Sequence, residues 1–419
     1  MTKHRAALQA TLTAFGLILA LLWLPTPGTT DVPIFIRWAA ATSSGVRDSY
    51  ASFFSYGYPP LGFVFLRGAV WIAAAVNGDL FIGYKVSLLL ALVLTGGLFW
   101  LWTRNFYLSL GLFLALLPNS MAYGYTDIYF AVLLVGALWA LYKNRLALFT
   151  VLYCGACLVK WQPLILAPFL AIYLARAPGG GDWQQTVKRI ALRVALPAAV
   201  IALGTLAIFG KPVVEALAGG LTNSFLSGQA LNLNWMVTFG IRALDPKWFG
   251  GISNGLIVPI DTPDWHVLLW SKILFWLMFG PACLAFALSQ KSFDDLIRFG
   301  LCGYLTYFML NTGVHENHLF LAAILAGVLA WRQREHLSTF ALWALAANIN
   351  LFVFYGADGS GWAYRPLAGV DMTLLLAAAF VAIFAVFYLE WVVVPLRQWR
   401  DARQPAPAAE QLVAHPLPH

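Results

Sequence analysis

Charge is what this chain has least of: only 11% of its 419 residues are Asp, Glu, Lys or Arg, against 61% hydrophobic residues. A soluble domain of that size needs far more polar surface to cover itself, so a water-soluble protein is excluded. The four cysteines, Cys154, Cys157, Cys283 and Cys302, are too few for a disulfide framework and all fall inside apolar runs. Cys154 and Cys157 have the spacing of a redox pair, but without a βαβ context they read as inert packing. No glycine-rich phosphate loop or nucleotide-binding α/β pattern occurs, which disfavours a nucleotide substrate. No Asn-x-Ser/Thr sequon is present either, in keeping with a bacterial inner membrane. The net charge of +8 is spread among the ends of apolar runs rather than gathered into a patch, so no nucleic-acid partner is expected.

What is present is a series of apolar runs joined by short polar links. They lack the alternating polarity of barrel strands and predict an all-α, polytopic membrane protein. Lys3 and Arg5 precede a first span over residues 6–24, placing the N-terminus in the cytoplasm. That span is longer than a signal core and is followed by no clear small-residue cleavage site, so it reads as a retained anchor.

The next apolar run, 61–76, is short of the about 20 residues that a crossing requires and carries Arg67. If it crossed, Arg104, Lys143, Arg145, Arg176, Lys188, Arg189 and Arg193 would all lie outside. If it lies along the outer surface, they fall inside together with Lys291, Arg298, Arg332, Arg334, Arg397, Arg400 and Arg403. The second arrangement obeys the positive-inside rule. It predicts a first external loop over 26–85 containing interfacial helices and a second over 210–265. About twelve spans then make a single domain over 1–394, with both termini cytoplasmic. Residues 395–419, charged and then rich in Pro and Ala, read as a disordered cytoplasmic tail.

This topology gathers the unusual polar residues at the external face. Asp31 and Asp48 lie in the first loop, and Asp127 and Lys160 at the outer ends of spans. His315-Glu316-Asn317-His318 sits at another outer end. Polar residues spent at one face, on several separate helices, point to a site. Asp31 is either a helix terminus before Pro33 or a general base, and Asp48 is its rival unless Arg47 neutralises it. Asp127 reads as a helix N-cap or as a ligand to substrate. Lys160, in the break Lys160-Trp161-Gln162-Pro163, either snorkels to the interface or pairs with an anion. His315 and His318, at i and i+3, share a helix face as metal ligands would, but the His-Glu-x-x-His spacing is missing and no metal is assigned. Tyr58-Pro59-Pro60-Leu61 fixes a turn into the short apolar run, because each proline locks its own φ and extends the residue before it.

Asp31 after the first span, followed by the Tyr58-Pro59-Pro60-Leu61 turn, resembles the entry of the multi-spanning glycosyltransferases of the GT-C type, which take sugar from a polyprenyl-phosphate carrier. Lys160 ahead of Pro163 is similar to a turn in bacterial members that use polyprenyl-phosphate mannose. The His315-Glu316 pair resembles one at the outer end of a late span in several of these families. Asn232-Leu233-Asn234-Trp235 looks like a segment of their second external loop. The residue before Tyr58 is Gly57, where lumenal glucosyltransferases of the N-glycan pathway carry an acid, so the chain departs from that branch.

The resemblance implies transfer of a hexose, mannose favoured, to a glycan, glycolipid or protein hydroxyl outside the cytoplasm, with Asp31 as base and Asp48 as second candidate. Tyr58, Asp127, Lys160, Gln162, Asn232, Trp235, His315, Glu316 and His318 would contact substrate. No cofactor is expected. A transporter or flippase would instead place ionisable groups near the midplane in paired repeats. An acyltransferase or polysaccharide polymerase would depend on His315 more than on Asp31.

Overall fold

The computed structural model describes residues 3–175, 183–222, 225–244, 265–361 and 369–403, with short pieces at 252–253, 256–257 and 367. The described chain is almost wholly helical. Six of its helices are long and apolar enough to cross a membrane: His4–Leu22, Leu80–Thr103, Trp183–Phe209, Leu268–Leu288, Arg334–Tyr355 and Met372–Asp401. This is an all-α, membrane-embedded protein. Helices such as Asp127–Tyr142, Leu146–Val159 and Phe320–Arg332 are shorter. The last helix runs on to Asp401, past the expected boundary at 394, and residues 404–419 lie outside the described residues.

Consecutive helices run back and forth, so alternate connections meet at one end of the bundle. Ser87, near the start of Leu80–Thr103, touches Tyr129 near the start of Asp127–Tyr142, with the two hydroxyls 2.5 Å apart. Lys160, just past the end of Leu146–Val159, reaches Asp127. The short helix Leu61–Ala75 belongs to this end over its whole length. Its first turn lies against the last turn of Leu146–Val159, where a Cβ on Gly62 would meet the Val159 carbonyl at 3.4 Å. Phe65 stacks on Tyr129 with ring centroids 4.9 Å apart. Its last turns close on Gly83, at the start of Leu80–Thr103.

Gly83 permits that closure because a Cβ there would stand 2.5 Å from the Ala69 carbonyl oxygen and 2.6 Å from the Ala73 methyl. A side chain at this position has to push the two helices apart. Gly83→Val should therefore destabilise the protein by about 1–3 kcal/mol. Thermal unfolding in detergent checks this, and an unchanged midpoint would contradict the close packing.

Three connections at the same end are sewn together. The Thr29 amide donates to the Tyr123 carbonyl (3.0 Å) and the Gly28 amide to the Asp358 carbonyl (3.2 Å). The Tyr123 hydroxyl donates to the Gly356 carbonyl at 2.8 Å. Beneath them the buried Lys85 ammonium donates to Thr26 Oγ1 (3.2 Å) and to the Met121 carbonyl. The segment that ends in Asp31 is thus held from both sides.

Candidate functional site

A cavity of about 810 Å³ opens at this end of the bundle. Seven of the residues singled out in the sequence line it: Asp31, Tyr58, Lys160, Gln162, His315, Glu316 and His318. They come from four separate connections and helix ends, so the tertiary fold alone brings them together.

Asp31 stands at the N-cap of Val32–Ala41, yet its side chain makes no capping bond. Among the described residues its carboxylate has no hydrogen-bond or ion-pair partner. Burial raises its pKa, and the nearby charge of Glu316 raises it further, against smaller opposing effects from His315 and Lys160. A half-buried carboxylate left without a donor is expensive to keep and well suited to accept a proton.

Glu316 is held much more firmly. It accepts a short hydrogen bond from the Tyr125 hydroxyl, and its main-chain carbonyl accepts one from Asn350 Nδ2 at 2.8 Å. The other end of the Asn350 amide accepts from the Leu231 amide at 2.7 Å. Burial raises the Glu316 pKa, and the Tyr125 bond opposes the rise.

The histidines are set by a short parallel pairing, Ser227 with Val314 and Gly228 with His315. Gly228 is required there, since a Cβ would lie 2.6 Å from His315 Nδ1. The His315 ring packs edge-on to Phe225, with centroids 4.9 Å apart. Its side chain is 46% accessible, but that surface faces the cavity, and the surrounding protein still holds its pKa down to about 4. His318 Nδ1 lies 3.4 Å from the His315 amide and 3.0 Å from the Tyr307 hydroxyl. An amide can only donate, so Nδ1 is the bare nitrogen, the tyrosine donates too, and the ring proton sits on Nε2. Burial holds the His318 pKa well below its ordinary value. Both imidazoles are neutral donors or acceptors at neutral pH. No group of three or more His, Cys, Asp or Glu side chains with metal-binding geometry occurs among the described residues.

Lys160 Nζ lies 2.9 Å from Asp127 Oδ1, with both side chains buried, and Asn317 Nδ2 donates to Asp127 Oδ2 at 2.9 Å. Asp127 therefore sits behind the cavity wall as the counter-ion of Lys160, not at the surface where a sugar would touch it. The Tyr58 ring lies under the ammonium, 5.3 Å from Nζ to the centroid. Gly57 adopts a left-handed φ of +78° and its carbonyl accepts from Trp161 Nε1 at 2.9 Å. A left-handed turn of this kind favours glycine. Gln162 lines the cavity, and its Oε1 is buried with no hydrogen-bond partner among the described residues.

Three expected site residues lie elsewhere. Asp48 is exposed in the first turn of Val46–Phe53, outside the cavity, and forms no ion pair with Arg47. Asn232 is buried, donating to the Phe308 carbonyl and capping the Trp235 amide, both at 2.9 Å. Trp235 Nε1 donates to Thr373 Oγ1 at 2.9 Å. These two residues brace the second loop and do not reach the cavity. In turn, sequence reasoning passed over Lys272, Tyr307, Asn311 and Thr312, which line it. Lys272, an ionisable group inside an apolar run, carried a usable signal.

Part of the lining is apolar: Leu164, Ile165 and Pro168, together with Phe275, Trp276 and Phe279 of the helix Trp265–Leu288. A hydroxylic or charged group and a hydrocarbon would each find matching surface in it. The chain matches no protein-family model and no curated protein sequence.

Proposed function

We propose that the protein is a GT-C-type glycosyltransferase that moves a hexose, mannose favoured, from a polyprenyl-phosphate carrier to an acceptor hydroxyl. The observation that carries this reading is the unpartnered Asp31 carboxylate, lining a cavity that also has apolar lining residues from separate helices. The reading places about twelve crossings in a bacterial inner membrane, both termini in the cytoplasm and the cavity outside. The arginines and lysines of the opposite end of the bundle support that orientation. A transport function would want the ionisable groups near mid-bilayer, whereas Asp31, Lys160, His315, Glu316 and His318 of the cavity come from connections and helix ends.

In the proposed reaction the acceptor oxygen forms a bond to the anomeric carbon while its proton passes to Asp31. The bond from that carbon to the phosphate oxygen breaks, and the carrier leaves as a phosphate monoester that needs no proton. Neutral His315 and His318 and the Gln162 amide offer hydrogen bonds to sugar or phosphate. Tyr125 fixes Glu316, whose charge makes Asp31 a stronger base.

The direct test supplies membranes containing the chain with synthetic polyprenyl-phosphate mannose and glucose, and follows label into acceptor. Consumption of neither donor, nor of a wider panel of carrier-linked sugars, by folded protein would end the proposal.

A pH dependence follows from the base. Asp31 acts only when ionised, and its pKa is raised above the ordinary 3.8. Transfer should therefore rise with pH across a limb displaced upward from that of a free aspartate. His315, held near 4, stays neutral over most of this range. The profile of kcat/KM against pH reads the limb directly, and an acid limb at or below 3.8 would contradict the assignment.

A further inference from the structure

We infer that Lys272 is the cation that receives the carrier's phosphate, with the apolar part of the cavity lining taking the first units of the isoprenoid chain. This rests on the glycosyl-transfer reading and assigns a role to a residue outside the expected site. Two ammonium groups line the cavity, Lys160 and Lys272. They differ in what already neutralises them. Lys160 is spent on Asp127 at 2.9 Å, in a pair whose side chains are 7% and 0% exposed. Lys272 has only the carbonyl of Leu221, at 3.2 Å, and no carboxylate among the described residues.

An unpaired charge on a helix as apolar as Trp265–Leu288 calls for an anion. The Leu221 carbonyl ends the helix Pro212–Leu221 and supplies part of one through its end dipole. A phosphate monoester, carrying about −1.5 to −2 charges at neutral pH, supplies the rest.

The position of Lys272 favours an amphiphile over a free ion. Phe275, Trp276 and Phe279 follow it at i+3, i+4 and i+7, on the same stripe of the helix. They line the cavity together with Leu164, Ile165 and Pro168. A ligand seated here has a phosphate at the level of the lysine and hydrocarbon one to two turns further along the helix. An isoprenyl phosphate and a glycerophospholipid share that chemistry. The proposal commits to the isoprenyl phosphate, because the same cavity holds Asp31 within it.

The test measures binding to the full chain in detergent of a long-chain polyprenyl monophosphate, the matching polyprenol, inorganic phosphate and phosphatidylglycerol. Wild type should prefer the polyprenyl phosphate to the polyprenol by about tenfold or more. Lys272→Gln should abolish that preference, and Lys272→Arg should keep most of it. A preference that survives Lys272→Gln overturns the inference and leaves the transfer reading standing. Wild type that binds neither carrier form counts against the transfer reading itself. Equal binding of phosphatidylglycerol makes the site one for bulk phospholipid and overturns the inference. Should Lys272→Gln fail to fold, amine labelling of wild type decides the question. Lys272 should be protected by polyprenyl phosphate but not by polyprenol, and equal labelling in both overturns the assignment.

Discussion

Replacing Asp31 with Asn should lower the rate of sugar transfer by about 10²–10⁴-fold, the range for loss of a general base. It should do so without loss of stability, and this second half separates a catalytic carboxylate from a structural one. Asp31 caps no amide and pairs with no cation among the described residues, so the amide variant breaks no bond. The sign of the linkage runs the same way. A carboxyl whose pKa is raised on folding stabilises the protein fully only below its unfolded value, and that contribution is lost as pH rises through the folded pKa. At neutral pH the native state therefore bears the cost of an ionised, half-buried Asp31. Asn removes that cost, and Asp31→Asn should unfold at the same temperature as wild type or higher. Equal activity of the two proteins would remove Asp31 from the mechanism, and a fall in both activity and melting temperature would recast it as a scaffold residue.

The sequence pointed to Asp31, Tyr58, Lys160 and the His315 to His318 run for one reason. In a chain so poor in charge, each ionisable or turn-forming residue at the end of an apolar run stands out against its neighbours. The helices followed from the same contrast. What contrast does not supply is pairing. Asp127 and Lys160 are 33 residues apart and Tyr125 and Glu316 are 191 apart, and nothing local marks the members of either pair as partners. Asp127 consequently read as an N-cap or a ligand, and its pairing with Lys160 was not legible.

Asn232 and Trp235 show the converse difficulty. A polar loop residue looks the same in sequence whether its amide bonds a sugar or the Phe308 carbonyl. Lys272 was obscured because a single lysine barely lowers the mean hydropathy of a 24-residue helix. The interior of a span, not only its ends, has to be searched for isolated charges.

The Lys160 and Asp127 pair leads to the largest expected effect on stability. Lys160→Met removes the ammonium from a carboxylate that is 0% exposed and leaves Asn317 as its remaining donor. Breaking a buried pair from one side costs about 3–5 kcal/mol, because the remaining charge is stranded away from water. Removing both charges, in Lys160→Met/Asp127→Leu, should recover much of the loss, since a well-packed apolar pair replaces a buried ion pair at little net cost. Chemical denaturation of the single and double variants in detergent gives the coupling energy. Additive losses would mean that the two groups do not act as a pair. The cycle also bears on function, because the double variant keeps Lys272 as the cavity's cation. If Lys160 serves mainly to neutralise Asp127 and hold the turn above Tyr58, the stable double variant should retain the preference for a phosphorylated carrier. If that preference vanishes while stability returns, Lys160 is itself a phosphate ligand and the charges of the cavity are shared between two lysines.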